Sequence, residues 1–145
     1  MSAMKLVYIA GPYRGPNTWA IEQNIRRAED AAALVWKAGL AALCPHANSR
    51  HMDGVTSDDN FLAGTLEMMR RCDAVLVLEG WLKSSGSQSE VSEAMRLGKP
   101  VLYAFGDESY LIDILRDLAA MDPGFMPMRH TDPFAGIYWL GRYTP

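Results

Sequence analysis

The sequence predicts an α/β fold built on one doubly wound parallel sheet of four to five strands, with helices on both faces. Short apolar runs rich in β-branched residues alternate with segments that have the apolar periodicity of amphipathic helices. The runs are apolar throughout, which is typical of strands covered on both sides. All connections but one are short. Right-handed crossovers then give a three-layer, flavodoxin-like or Rossmann-like arrangement, for which we expect the strand order 2-1-3-4.

Helix signals separate the four strands. Asn17 or Thr18 caps the first helix, which Gly39 ends, and Ser57 or Asp58 caps the second. The predicted strands cover residues 6–10, 40–44, 73–78 and 101–105. The apolar helix positions are Ile21, Ile25, Ala28, Ala32, Val35 and Trp36 in the first helix, Phe61, Leu62, Leu66 and Met69 in the second, Val91, Ala94 and Met95 in the third, and Leu111, Ile112, Leu115, Leu118 and Ala119 in the fourth.

The composition is that of a soluble globular protein. A chain of 145 residues can bury a core without disulfides or metals. The net charge of −3 gives no electrostatic reason to expect a duplex nucleic-acid partner. The first apolar run is too short for a secretion signal or a membrane span, so we expect a cytoplasmic protein with no membrane partner. Cys44 and Cys72 are then expected to be reduced.

The last segment, residues 121–145, is too aromatic to be a free tail. It docks either on the body of the same chain or on a partner subunit, because aromatic residues are enriched both in cores and at interfaces. We therefore expect one domain over residues 1–145 that ends in a docked segment. Its aromatic residues are Phe125, Phe134, Tyr138, Trp139 and Tyr143.

The Ser/Gly-rich turn at residues 80–90 joins the third strand to the third helix. Such a turn leaves backbone N–H groups unpaired at the helix start, where they and the helix dipole favour an anion. Glu90 is predicted to lie in the first turn, where the dipole should keep it ionised. A carboxylate at the mouth of an anion site can act as a nucleophile or a base. This stretch is the proposed active site.

The loop after the first strand, residues 11–15, has two glycines and lacks the third of G-x-G-x-x-G, so it is poor evidence for a dinucleotide. The sequence also has no P-loop, and no cofactor is expected. Arg14 either grips a phosphate bidentately or is an ordinary surface arginine. Tyr8, in the strand before, points either into the core or toward Glu90.

Residues 45–57 form a polar loop long enough to be a lid or a binding loop. His46 is either a ligand contact or a histidine in water. Together with Cys44, His51 and Cys72 it matches no closed zinc pattern, so no metal site is expected. Trp81 either stacks on a nucleobase or plugs a strand end.

Ligands of such sheets lie beyond the carboxyl ends of the strands, near the point where the strand order reverses. With the order 2-1-3-4, that point lies between strands one and three. The loop at residues 11–15, including Gly11, Pro12 and Gly15, should then face Ser84, Gly86 and Glu90 across one cleft. Asp58 is most simply a helix cap, whereas Asp59 follows the long loop and could reach the site.

Several of these segments together resemble the nucleoside 2-deoxyribosyltransferase-like superfamily, which includes deoxynucleoside 5′-monophosphate N-glycosidases and uncharacterised, often phage-borne, relatives. The resemblance covers roughly residues 5–105. The matching segments are Tyr8-Ile9-Ala10-Gly11-Pro12-Tyr13-Arg14-Gly15, Cys44-Pro45-His46, Cys72-Asp73-Ala74-Val75-Leu76-Val77-Leu78, Ser84-x-Gly86-x-x-x-Glu90 and Leu97-Gly98-Lys99-Pro100-Val101.

This resemblance implies that Glu90 is the nucleophile that attacks C1′ of the sugar, and that Tyr8 orients it. Two positions depart from the family pattern. Thr65 stands where many relatives have an aspartate that assists the leaving base, so Asp59, His46 or water would take that role. Pro12 replaces a phosphate-contacting serine. The positions that match phosphate-holding residues of the monophosphate-cleaving branch are Arg14, Gly15, Ser84 and Gly86.

The leading hypothesis is therefore an enzyme that cleaves the N-glycosidic bond of a (deoxy)nucleoside 5′-monophosphate. The alternatives are a deoxyribosyltransferase, which exchanges the base, and a non-catalytic nucleotide-binding or sensor module, which the absent aspartate at Thr65 would favour. The partner in each case is a small nucleotide or nucleoside. The resemblance and the aromatic segment together imply a homodimer or higher homo-oligomer.

Overall fold

A computed structural model describes residues 3–104 and 107–121 of the chain. Its centre is one sheet of four parallel strands in the order β2-β1-β3-β4. The predicted fold class and strand order are confirmed. In register, Tyr8 of β1 lies between Leu43 of β2 and Val75 of β3. The strands are β1 (Leu6–Ala10), β2 (Ala41–Leu43), β3 (Ala74–Leu78) and β4 (Val101–Ala104).

The helices start at the predicted caps. The side chain of Asn17 accepts a hydrogen bond from the backbone N–H of Ala20 at 2.8 Å, and Ser57 accepts one from Asn60 at 3.1 Å. Gly39 follows the first helix with a φ of +85°, a left-handed conformation suited to glycine. The helices are α1 (Thr18–Lys37), α2 (Pro45–Asn48), α3 (Asp58–Arg70), α4 (Ser85–Arg96) and α5 (Glu108–Ala120), and a 3₁₀ turn covers Trp81–Lys83.

Two hydrophobic clusters cover the two faces of the sheet. Because successive strand residues point to opposite faces, Val7 and Ile9 of β1 pack against α1 and α5, whereas Tyr8 and Ala10 face α3 and α4. Helices therefore pack on both sides of the sheet. The α3 and α4 side is the one that brings helical side chains to Tyr8.

Three local expectations were wrong. Trp36 is 57% exposed, because the buried stripe of α1 is centred on Ala28, Ala31 and Val35 and leaves Trp36 at its edge. Met95 is 44% exposed for a similar reason, since the buried stripe of α4 runs through Glu90, Val91 and Ala94. The polar segment 45–57 is not all loop: Pro45 begins the single turn of α2, which is too short to show a period in the sequence.

The predicted docked segment, residues 121–145, lies outside the described residues except for Met121. Across the part of the chain that is described, no helix has both the length and the apolar character needed to cross a bilayer.

Two glycine substitutions test how closely β1 and β3 must approach at the site edge of the sheet. A Cβ at Gly11 would lie 2.8 Å from Leu78 Cδ1 and 2.9 Å from Leu78 Cβ, so Gly11→Ala should destabilise the fold by about 1–3 kcal/mol. Gly64 lies in α3 with no atom within 4 Å of a Cβ, so Gly64→Ala should stabilise it by about 0.5–1 kcal/mol. Urea denaturation of both variants measures these changes, and equal shifts would contradict the packing argument.

Candidate active site

A cavity of about 980 Å³ opens beyond the carboxyl ends of β1 and β3. The loop after β1 and the segment from Glu79 to Glu90 line two of its walls, so the structure brings the two predicted glycine-bearing turns to one cavity. This is the position that the strand order predicts for a ligand. The predicted site residues that line it are Tyr8, Gly11, Pro12, Arg14, Gly15, His46, Asp59, Ser84, Gly86 and Glu90.

Tyr8 and Glu90 are two of the buried polar residues that line this cavity. Tyr8 is fully buried, and Glu90 is 8% exposed. The hydroxyl of Tyr8 and Oε2 of Glu90 have no hydrogen-bond partner of good geometry within the described ranges, although the two side chains are close enough to shift each other's pKa. Buried polar atoms are rarely left unpaired, because each loses its bonds to water. At this cavity the two atoms are available to bond a polar group.

The protonation state of Glu90 differs from the sequence prediction. Glu90 is the sixth residue of α4 and therefore lies in its second turn, beyond the unpaired N–H groups of the helix start. Burial raises the pKa of Glu90 to about 7, and the interaction with the Tyr8 hydroxyl opposes this rise. Burial and the neighbouring Glu90 raise the pKa of Tyr8, which therefore stays a neutral hydrogen-bond donor. The carboxyl group of Glu90 can thus gain or lose a proton near neutral pH.

The start of α4 positions Glu90. Ser84 is the N-cap, and its Oγ accepts hydrogen bonds from the backbone N–H of Ser87 at 3.3 Å and from Ser87 Oγ at 3.0 Å. Ser87 is buried and lines the cavity, yet the sequence analysis passed over it. Its spacing from Glu90, Val91 and Ala94, on one face of the helix, was the signal that could have identified it.

Gly86 leaves open space at this helix start. A Cβ at Gly86 would meet only Leu62 Cδ1, at 3.9 Å, and its φ is not left-handed. Glycine in a helix costs roughly 0.5–1 kcal/mol relative to alanine, and here neither packing nor backbone conformation requires it. The backbone N–H groups of Ser85 and Gly86 also lack acceptors among the residues that the structure covers. The helix start therefore presents free donors to an unfilled space.

Arg14 lines the cavity, but two carboxylates already hold its guanidinium group. Nη1 lies 3.1 Å from Asp53 Oδ1, and Nη2 contacts Asp58. The Tyr13 hydroxyl donates to Asp53 at 3.0 Å, and the Tyr13 ring lies below the guanidinium group. Asp58 is therefore an ion-pair partner and not the helix cap, which is Ser57. Tyr13 and Asp53 were not predicted, because nothing local in the sequence links two loops about 40 residues apart.

His46 is buried and does not lie in water. Its Nε2 is 3.0 Å from the Pro12 carbonyl oxygen, and its ring packs edge-on to Tyr13 with centroids 5.6 Å apart. Burial lowers the pKa of His46, so the neutral ring with Nε2–H donating to Pro12 is the form that fits. His46 thus ties the start of α2 to the loop after β1, at the wall of the cavity.

Two further residues occupy positions that the sequence resemblance connects with the departure of a base. Asp59 is exposed at the rim of the cavity. Thr65 lines the cavity, and its Oγ1 donates to the Leu62 carbonyl oxygen at 3.1 Å. The position at which the sequence resemblance implies an acid therefore holds a hydroxyl group that is bonded to its own helix.

Trp81 is the one predicted site residue that does not line the cavity. It packs into the cluster on the α3 and α4 side, with its ring centroid 5.8 Å from that of Tyr103. This placement favours the interpretation that Trp81 plugs a strand end over the one in which it stacks on a nucleobase. Its neighbour Lys83, which the sequence analysis did not single out, does line the cavity. Within residues 3–104 and 107–121, no group of three His, Cys, Asp or Glu side chains is placed to hold a metal ion.

Comparison with solved structures supports the fold. The chain is similar to a 2-deoxyribosyltransferase from Bacillus psychrosaccharolyticus, with a TM-score of 0.54 and 16% identity over 81% of this chain and 92% of that one. A 2-deoxyribosyltransferase from Leishmania mexicana matches with a TM-score of 0.50 and 24% identity over 68% of this chain and 63% of that one. The chain therefore has the fold of the nucleoside 2-deoxyribosyltransferases, as the sequence resemblance implied.

At the level of sequence, no curated protein matches the chain significantly. A family model does match, over residues 5–104, and it is described as a domain of unknown function, DUF7768. The match covers β1 to β4 and every predicted site residue. The chain is a member of the DUF7768 family.

Proposed function

We propose that the protein cleaves the N-glycosidic bond of a (deoxy)nucleoside 5′-monophosphate, with Glu90 as the nucleophile. The observation that carries this proposal is the buried carboxyl group of Glu90 beside the buried hydroxyl of Tyr8, which interacts with it. A nucleophilic carboxylate is expected to be held next to a donor that orients it, in a site that excludes water. The shared fold with two 2-deoxyribosyltransferases supports glycosyl transfer as the class of chemistry.

In the proposed reaction, a carboxylate oxygen of Glu90 attacks C1′ of the sugar. The bond between C1′ and the base nitrogen breaks, and its electron pair leaves with the base, which takes up a proton. Water then attacks C1′ of the glycosyl ester, and the free sugar phosphate and the Glu90 carboxylate are released. Asp59 or solvent supplies the proton to the base, because Thr65 cannot act as an acid and the neutral ring of His46 is bound to the Pro12 carbonyl.

The negative end of the substrate is proposed to lie at the start of α4. The free N–H groups of Ser85 and Gly86 and the open space at Gly86 fit an anionic group there. Gly86 and Glu90 are four residues apart on one face of the helix, a rise of about 6 Å. This separation is comparable to the span of one pentose from its anomeric carbon to its 5′ substituent.

Base exchange is the second candidate reaction. A second base would attack the same intermediate that water attacks, and the two solved structures with this fold are transferases. A non-catalytic nucleotide-binding module is the third candidate, and Thr65 in place of an acid is the feature that favours it. Release of free base, with or without an added acceptor base, separates these three cases.

Replacing the proposed nucleophile should abolish base release. Glu90→Gln keeps the size of the side chain but removes the charge, so we expect base release to fall by at least about 10³-fold. Chromatography of free base from a panel of nucleosides and nucleoside monophosphates measures this. Glu67→Gln, which changes an exposed carboxylate of α3, is the matched control and should keep wild-type activity. Equal activity of Glu90→Gln and the wild type would remove Glu90 from the mechanism.

The rate should depend on pH through the same group. Only the ionised carboxyl group can attack C1′, and burial raises the pKa of Glu90 to about 7. We therefore expect kcat/KM to rise between pH 5 and pH 8 with a midpoint near 7. A profile that is flat over this range, or that rises with a midpoint near 4.5, would show that the attacking group is not this buried carboxyl group.

Burial of Glu90 should also appear in the stability of the fold. Its pKa is raised from 4.5 to about 7, so the folded state binds the proton more tightly than the unfolded chain does. Stability should therefore fall as the pH rises from about 4.5 to 7, by up to about 3 kcal/mol. Glu90→Gln should be more stable than the wild type at pH 8 and similar to it at pH 4. Thermal unfolding at both pH values measures this.

Glu93, in the same helix, provides a control of opposite sign. Hydrogen bonds from Arg96 and Arg70 lower the pKa of Glu93 to about 2. The loss of this ionised group should therefore destabilise the fold at neutral pH, and Glu93→Gln should unfold at a lower temperature than the wild type. If both glutamine variants shifted in the same direction at pH 8, burial would not be the cause of the Glu90 effect.

A further inference from the structure

The two cations nearest to the proposed ligand differ in how they are already bound. Arg14 and Lys83 both line the cavity, on the loop after β1 and at the end of the 3₁₀ turn respectively. Arg14 is held by Asp53 and Asp58. The side chain of Lys83 has no hydrogen-bond or ion-pair partner among the residues that the structure describes. The sequence alone does not distinguish the two.

The surroundings of Arg14 are unfavourable for a ligand anion. One guanidinium group faces two carboxylates, so the local charge is negative before any ligand binds. A phosphate group bound to Arg14 would also lie close to the carboxylates of Asp53 and Asp58, and like charges at close range repel each other. The Arg14 contacts also join three segments, because Tyr13 precedes it, Asp53 belongs to the long loop and Asp58 begins α3. Arg14 therefore holds the cavity rim together.

The backbone that carries Lys83 is fixed, although its side chain is free. Gly80 begins the turn with a φ of +88°, and a Cβ there would lie 3.3 Å from Pro12 Cγ. The Lys83 backbone N–H donates to the Gly80 carbonyl at 3.0 Å, and that of Ser84 donates to Trp81 at 3.0 Å. Trp81 is packed into the core. The turn thus places an unpaired ammonium group directly before the N-cap of α4.

We propose that Lys83 is the cation that recognises the anionic end of the ligand, and that Arg14 instead keeps residues 49–57 in place over the cavity. This rests on the proposed function, because it assigns the charge partner of the phosphate group in that same site. Lys83 is exposed, directly precedes the N-cap Ser84, and lines the same cavity as Ser85 and Gly86, whose N–H groups are free. A long, unpaired lysine adds a point charge to those directional donors. Lys83 thereby sets the preference for a phosphorylated ligand.

The test compares affinities for a nucleoside 5′-monophosphate and the corresponding nucleoside, measured by calorimetry. Lys83→Met keeps the apolar stem and removes the charge. The ratio of the two affinities should fall by about 10-fold to 100-fold in this variant, and Lys83→Arg should restore most of it. Lys37→Met is the control: Lys37 lies at the end of α1, outside the cavity, where it pairs only with exposed Glu108 at 3.5 Å, and its loss should leave the ratio unchanged.

The opposite pattern would overturn the inference. An unchanged ratio in Lys83→Met removes Lys83 from recognition of the phosphate group, and a loss of monophosphate preference in Arg14→Met alone assigns the phosphate group to Arg14. A wild type that binds no monophosphate overturns the anion site itself. Binding needs no turnover, so the two proposals can fail separately. If the wild type binds the monophosphate but releases no base, the proposed reaction is wrong, and the affinity ratio still tests the role of Lys83. Limited proteolysis within residues 49–57 should be faster in Arg14→Met than in Lys83→Met.

Discussion

The burial of one carboxyl group, that of Glu90, is the constraint on which the rest of the site depends. The group lies on the packed face of α4, next to the equally buried hydroxyl of Tyr8 in the central strand β1. Removing a carboxylate from water is unfavourable, and the raised pKa of Glu90 reports that cost. Hydrophobic packing on both faces of the sheet offsets this cost. The destabilised carboxylate is in turn what a nucleophile requires.

Separate segments of the chain form the remaining parts of the cavity wall. The first turn of α4 offers free backbone donors and an open space at Gly86, one helical turn from the carboxyl group. The loop after β1 is held from both sides, by His46 at Pro12 and by Asp53 and Asp58 at Arg14. The rim of the cavity is therefore fixed at several points. A site that is already ordered without a ligand loses less conformational entropy when a ligand binds.

The sequence predicted the parts of this architecture that depend on local pattern. Apolar strands and helix periods gave the strand order, and the strand order placed Glu90, Ser84 and Arg14 at one cavity. The sequence did not predict the properties of side chains that arise only from tertiary packing. The dipole of α4 alone would keep Glu90 ionised, whereas burial in the folded chain raises its pKa. The partners of Arg14 come from distant loop positions that share no period with it.

Trp81 and Lys83 are two further residues whose orientation could not be predicted from the sequence. Trp81 is an aromatic residue in a turn, and only the position of Tyr103 shows that it faces the core. Lys83 is two residues further along and faces the cavity instead. A 3₁₀ turn of three residues has too short a pattern for either orientation to be read from the sequence.

The central claim is that a carboxylate oxygen of Glu90 bonds to C1′ of the sugar. Mass spectrometry of the protein after rapid acid quenching during turnover, with proteolytic mapping of the modified peptide, tests it most directly. An electron-withdrawing 2′ substituent slows both steps, so a substrate that carries it together with a good leaving base would let the ester accumulate. The account predicts one added sugar phosphate, carried by the peptide that contains Glu90. Base release with no modified peptide, or with the sugar on another residue, would contradict it.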